Sequence, residues 1–92
     1  MLTPEQSRAA RGWLDWSQQD LADRAHVSLS TVRDFEKGRR SPIANNLDAL
    51  QRAINAGGVQ MVYKREKPIG IAIMDDPAAG EEVSAEARAN AP

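Results

Sequence analysis

Apolar side chains recur through residues 1–57 in four short bursts at the three- and four-residue intervals of amphipathic helices, separated by polar or turn-forming residues. Thr3-Pro4-Glu5-Gln6 offers a capping hydroxyl, a proline at the first helical position and a glutamine at the third, so a helix is predicted over about 4–14. Its inward face by spacing is Ala9, Ala10, Trp13 and Leu14, with Trp13 and Trp16 read as packing residues. Ser17-Gln18-Gln19-Asp20 repeats the capping pattern and opens a second helix, about 17–25, facing inward through Leu21, Ala22 and Ala25. Ser28 caps a third, about 28–37, whose Val32 and Phe35 share a face before Gly38 stops it. After Pro42, Asn45 or Asn46 caps a fourth, about 46–56, with Leu47, Leu50 and Ile54 inward and Gly57-Gly58 beyond its end.

From Val59 the period changes to two. Val59, Met61 and Tyr63 alternate with Gln60, Val62 and Lys64, and Ile69-Gly70-Ile71-Ala72-Ile73-Met74 supplies a second strand after the polar Arg65-Glu66-Lys67-Pro68. A β-hairpin is expected, and since an isolated hairpin is marginal in water it must pack on the helices or on another chain, which points to a homodimer. Residues 76–92 are mostly Ala, Glu, Pro and Gly with a single Val and no aromatic, too poor in apolar surface to offset the entropy of ordering, and read as a flexible acidic tail. The expected organisation is a mainly α chain: a four-helix domain over 1–57, a hairpin over 58–75 as dimerisation element, and the tail.

Composition narrows the chemistry. With no cysteine and one histidine, disulfides, thiolate catalysis and His- or Cys-based metal sites are excluded, and neither a metal nor a cofactor is expected. No catalytic residue is assigned, because the paired carboxylates Asp75-Asp76 and Glu81-Glu82 lie in segments where nothing would perturb a pKa or exclude water. No apolar run approaches the roughly 18 residues of a membrane span and no secretory signal opens the chain, so a soluble, cytoplasmic protein is expected. The net charge of −1 conceals an asymmetry. Residues 1–67 carry eleven Lys/Arg against eight Asp/Glu, whereas residues 68–92 carry one Arg against five Asp/Glu. A basic body with an acidic tail keeps a polyanionic partner open.

The informative stretch is residues 17–42, SQQDLADRAHVSLSTVRDFEKGRRSP, two short helices joined by a few residues with the small Ala22 between them, the build of a helix-turn-helix. Ser17-Gln18-x-x-Leu21-Ala22, Val27-Ser28, Ser30-Thr31-Val32, Phe35-Glu36-x-Gly38 and Pro42 resemble the Cro/repressor (XRE-type) family of DNA-binding regulators over roughly residues 3–57. The resemblance implies a lambda-repressor-like bundle whose third helix enters the major groove of double-stranded DNA. On that basis Leu29, Ser30, Arg33 and Asp34 would face base edges, Arg33 reading guanine, Leu29 a thymine methyl, and Asp34 either accepting from cytosine or holding Arg33. Gln18, Thr31, Lys37, Arg39 and Arg40 would contact phosphates, and Arg11 would pair structurally with Glu36. One departure is His26, where the family usually has glycine: a positive φ there carries a cost for histidine.

The function implied is a sequence-specific, repressor-like regulator binding as a homodimer to a palindromic operator with half-sites about 34 Å apart. The alternative is an antitoxin or antiactivator that holds a partner protein through the hairpin or tail, with DNA binding secondary.

Overall fold

The computed structural model describes residues 1–74. The reading of 76–92 as a tail and the carboxylate pairs Asp75-Asp76 and Glu81-Glu82 therefore lie outside the described residues. Four helices, α1 (Pro4–Leu14), α2 (Gln18–Ala25), α3 (Leu29–Glu36) and α4 (Ala44–Ala56), are followed by an antiparallel hairpin of β1 (Val59–Lys64) and β2 (Lys67–Ile73). The chain is thus mainly helical, as expected.

Local chemistry accounts for most boundaries. At α1, Thr3 accepts from the Gln6 backbone N–H while Gln6 Oε1 accepts from the Thr3 N–H, a complete capping box with Pro4 at the first helical position. Leu21, Ala22, Val32, Leu50 and Ile54 are fully buried, and with Ala10, Ala25, Phe35 and Leu47 they form a core into which Leu2, Val59 and Met61 extend from either end of the chain. Among the described residues no helix is long and apolar enough to cross a membrane.

Three expectations are corrected. Of the proposed inward face of α1, Ala9 and Trp13 point to solvent, Trp13 with 63% exposure, and the buried residues are Gln6, Ser7 and Ala10. The helix is rotated because its polar residues have buried partners, and a satisfied polar group is cheaper to bury than its type suggests. Secondly, α4 starts at Ala44 rather than Asn46, and neither asparagine caps it: Ile43, in extended conformation, is the N-cap, with no side-chain hydrogen bond. Its carbonyl accepts from the Asn46 and Leu47 N–H groups.

Thirdly, the hairpin turn is only Arg65-Glu66, both at positive φ (51° and 69°), so Lys67 and Pro68 belong to β2. Two left-handed residues give a turn whose twist matches that of the strands. The register shifts between Val62, opposite Gly70, and Tyr63, opposite Pro68, leaving Ile69 as a bulged residue. A proline is tolerated at such a position because a ladder bond is already missing. Gln6 Nε2 reaches this irregularity, donating to the carbonyls of Gly70 (3.0 Å) and Val62 (3.4 Å). One glutamine therefore caps α1 and ties the hairpin to it.

Candidate nucleic-acid interface

The α2–turn–α3 unit is specified residue by residue. Ser17 and Asp20 form a second capping box at the start of α2. The Ser17 N–H and hydroxyl donate to the Asp20 carboxylate and hold its pKa below the usual range. At the other end His26 adopts the left-handed conformation (φ 57°) that the sequence departure made a concern, and the Val27 N–H closes the turn onto the Ala22 carbonyl at 3.0 Å. Ala22 has no exposed surface, and its small side chain lets the two helices approach. Ser28 caps α3 by accepting from the Thr31 N–H at 3.1 Å. Gly38 (φ 73°) ends it in a Schellman motif, with Gly38 N–H on the Phe35 carbonyl and Arg39 N–H on that of Asp34.

Val32 and Phe35 turn inward, and the other side of α3 is open. Ser30 and Arg33 are exposed, while Leu29, Thr31 and Asp34 are half-buried. The hydroxyls of Ser30 and Thr31 both lie on Ser28 Oγ, at 3.1 and 2.8 Å, so the first turn of the helix presents a linked cluster of three hydroxyls. No ion pair within 4 Å joins Arg33 to Asp34, which leaves the arginine fork free for another acceptor.

At the C-terminal end of α3 lies a buried polar hub. Glu36 is 3% exposed and receives Arg11 Nε at 2.9 Å, Arg11 Nη2 at 2.6 Å, Ser7 Oγ at 2.5 Å and Gln18 Nε2 at 3.2 Å. Burial alone would raise its pKa, but the hydrogen bonds from Arg11, Ser7 and Gln18 outweigh it and hold the carboxylate below its ordinary range. Arg11 is raised in turn, chiefly by its bond to Glu36. Arg8 donates to the Glu36 carbonyl, and Arg11 Nη1 to that of Trp16 at 3.1 Å. Arg11 and Glu36 thus pin α1, the α1–α2 turn and α3 together. Gln18 stands at the first helical position of α2 with its amide drawn onto this hub.

On either side of Gly38, the exposed Lys37, Arg39 and Arg40 continue the edge of α3. An open groove of about 270 Å³ runs beside them, lined by Ser30, Thr31, Asp34 and Arg40 and, across the loop, by Ser41, Ile43 and Asn46. The last three were not identified from the sequence. The only available signal was the lack of a capping side chain at position 43, between Pro42 and the helix. No side chain caps α4, so the N–H groups of Ala44 and Asn45 in its first turn remain available to water or an anion at the groove's border.

The engagement of the basic residues divides them. Arg8, Arg11 and Arg52 are hydrogen-bonded or ion-paired, and Arg24 stacks 4.3 Å above the Trp16 ring. The side chains of Arg33, Lys37, Arg39 and Arg40 engage no partner among the described residues.

Comparison with known proteins agrees with this geometry. No curated protein matches the chain. A helix-turn-helix family model matches residues 8–57, more than half of the chain and all of α2, the turn, α3 and α4. The chain belongs to the XRE-type helix-turn-helix family of DNA-binding regulators.

Proposed function

We propose that this protein is a sequence-specific transcriptional regulator that acts by occupying DNA, without catalysis. The observation that carries the reading is the unengaged basic edge of Arg33, Lys37, Arg39 and Arg40, set beside the exposed hydroxyls of α3 while the arginines elsewhere on the helices are already paired or stacked. In this reading the first turns of α3 enter the major groove, Arg33 makes a bidentate contact to guanine, Ser30 and Leu29 touch neighbouring base edges, and Asp34 accepts from cytosine. Lys37, Arg39 and Arg40 hold the phosphate backbone together with Thr31 and Gln18, the latter by exchanging its bond to Glu36 for one to a phosphate oxygen.

Binding as a homodimer to a palindromic operator completes the proposal, with the hairpin as the joining element. Ile69 is 60% exposed and Val62 is half-buried on a sheet that has two strands among the described residues, apolar surface that a second copy would cover. Sedimentation of the full chain at tens of micromolar is expected to report a dimer, and a monomer at that concentration would remove the two-half-site geometry.

The deciding experiment selects bound duplexes from a random library and then compares Arg33→Ala and Lys37→Ala on the selected site and on unrelated DNA. Arg33→Ala should lose about 1–3 kcal/mol on the selected site with relaxed preference at one base pair. Lys37→Ala should weaken all sequences alike and reduce the salt slope by about one ion. Equal losses on both DNAs for Arg33→Ala would reject its role in base reading, and no enrichment of any sequence would reject the function.

A further inference from the structure

The acidic residues of this chain are as unevenly placed as the basic ones. Residues 75–92 carry Asp75, Asp76, Glu81, Glu82 and Glu86 against Arg88 alone. The root of this segment is fixed: the Met74 N–H donates to the Gly58 carbonyl at 2.8 Å, immediately after α4. The adjacent Gly57 lies so close against the Trp16 ring that a β-carbon there would come within 2.8 Å of it. The Trp16 carbonyl accepts from Arg11, and Arg11 holds Glu36, the residue before Lys37. A short series of contacts therefore leads from the root of the acidic segment to the end of α3.

The other cations unengaged among the described residues, Lys64, Arg65 and Lys67, sit at the hairpin tip, the far end of β2 from this root, and Glu66 partly offsets them there. The α3 edge offers, among the described residues, four unengaged cations against the single Asp34, with an open groove and the uncapped start of α4 in the same place. Reach is no obstacle. Eighteen residues extend to about 60 Å, against a longest molecular dimension of 42 Å.

We propose that the acidic segment 75–92 occupies the basic edge of α3, Arg33, Lys37, Arg39 and Arg40, within its own chain, and so competes with duplex DNA for that surface. The seat follows from charge complementarity and the position of the root, and the competition rests on the DNA-binding reading above. Because the contact is between exposed charges, it weakens as salt screens them. It sets a threshold that favours DNA able to make base contacts over DNA that offers phosphates alone.

The test compares the full chain with a full-length variant carrying Asp75→Asn, Asp76→Asn, Glu81→Gln, Glu82→Gln and Glu86→Gln, which alters no residue of the described fold. In the absence of DNA, backbone amide shifts should differ between the two chains over residues 30–41 and not over 64–67. The differences should be independent of protein concentration and abolished by 300 mM salt. On a random-sequence duplex the neutralised chain should bind more tightly, on the order of tenfold at 50 mM salt and within about twofold at 300 mM. Shifts confined to 64–67, no shifts beyond the neighbours of residue 75, or shifts that grow with concentration would overturn the seat. Shifts at 30–41 with equal DNA affinity would overturn the competition. If neither chain bound DNA at any salt, the DNA-binding reading would fail with the competition, and the amide shifts would still decide the seat.

Discussion

Truncation of Glu36 tests the interior of this fold most severely. The carboxylate, at the end of α3, accepts from donors on two other helices, Arg11 and Ser7 of α1 and Gln18 of α2. In Glu36→Ala the Arg11 guanidinium, largely buried, keeps only the Trp16 carbonyl, and the hydroxyl of Ser7, which has no exposed surface, loses its acceptor. Leaving one member of a buried ion pair uncompensated costs about 3–5 kcal/mol. A chain of this length is expected to be stable by roughly 5–14 kcal/mol, so the loss is a third or more of the total in most of that range. At about 4–8 °C per kcal/mol, Tm should drop by at least roughly 12 °C. Urea titration followed by tryptophan fluorescence reads this as a lowered midpoint at unchanged slope. The sharper check is the triple variant Ser7→Ala, Arg11→Met, Glu36→Leu, which replaces the ion pair and the buried hydroxyl together by apolar groups and should be more stable than Glu36→Ala alone. A loss below about 1 kcal/mol for the single variant, or a triple variant as unstable as the sum of its parts, would refute the assignment of Glu36 as a buried, mutually satisfied hub.

Three further outcomes follow from the same geometry. Because the Glu36 pKa is depressed in the folded state, its contribution is present above the ordinary carboxylate value and is lost as pH falls through the folded value. Stability measured in urea from pH 7 to 2 should therefore decline below about pH 4, and Glu36→Gln should flatten that decline; an unchanged acid slope would argue against the linkage. His26→Gly should stabilise by up to about 1.5 kcal/mol, since glycine relieves the roughly 1–2 kcal/mol left-handed cost at φ 57° but adds about 0.5–1 kcal/mol of unfolded-state entropy. A destabilised glycine variant would show that the histidine ring contributes something the backbone does not reveal. Gly57→Ala should cost about 1–3 kcal/mol and shift the Trp16 emission, because the added carbon meets the indole at 2.8–3.0 Å and Leu14 at 3.1 Å; a silent substitution would mean that the ring moves freely.

Where sequence reading succeeded, the signal was local. Thr3-Pro4-Glu5-Gln6, Ser17 with Asp20, Ser28 and Gly38 each act within one turn of themselves, and all four boundaries are observed where their chemistry places them. The positive φ that falls on His26 was signalled by the family resemblance, in which glycine usually stands there, and not by any local feature of this chain. The misread elements depend on partners distant in sequence. Ala9 and Trp13 fit the apolar period of α1, but Gln6 has its acceptors 56 and 64 residues away and Ser7 its acceptor 29 residues away, and those bonds turn the helix onto its polar side. Likewise Asn45 and Asn46 have capping side chains, yet the chain leaving Pro42 is already extended at Ile43 and the helix begins before either of them.

The same distinction explains how the candidate interface divides. Arg11 and Arg33 are identical residues on amphipathic helices, and composition cannot separate a structural cation from a reading one. Their surroundings do: Arg11 supplies the counter-charge to a buried carboxylate, whereas Arg33 stands one turn before the end of α3 with its neighbour Asp34 out of reach and no other described side chain to meet. A solvated cation whose surroundings are pinned by capping and core packing is already in place when a ligand arrives, so little ordering entropy beyond its own rotamers is spent on binding. Paired against unpaired arginine is thus the property that marks the proposed reading edge, and it arises only once tertiary contacts have assigned the carboxylates.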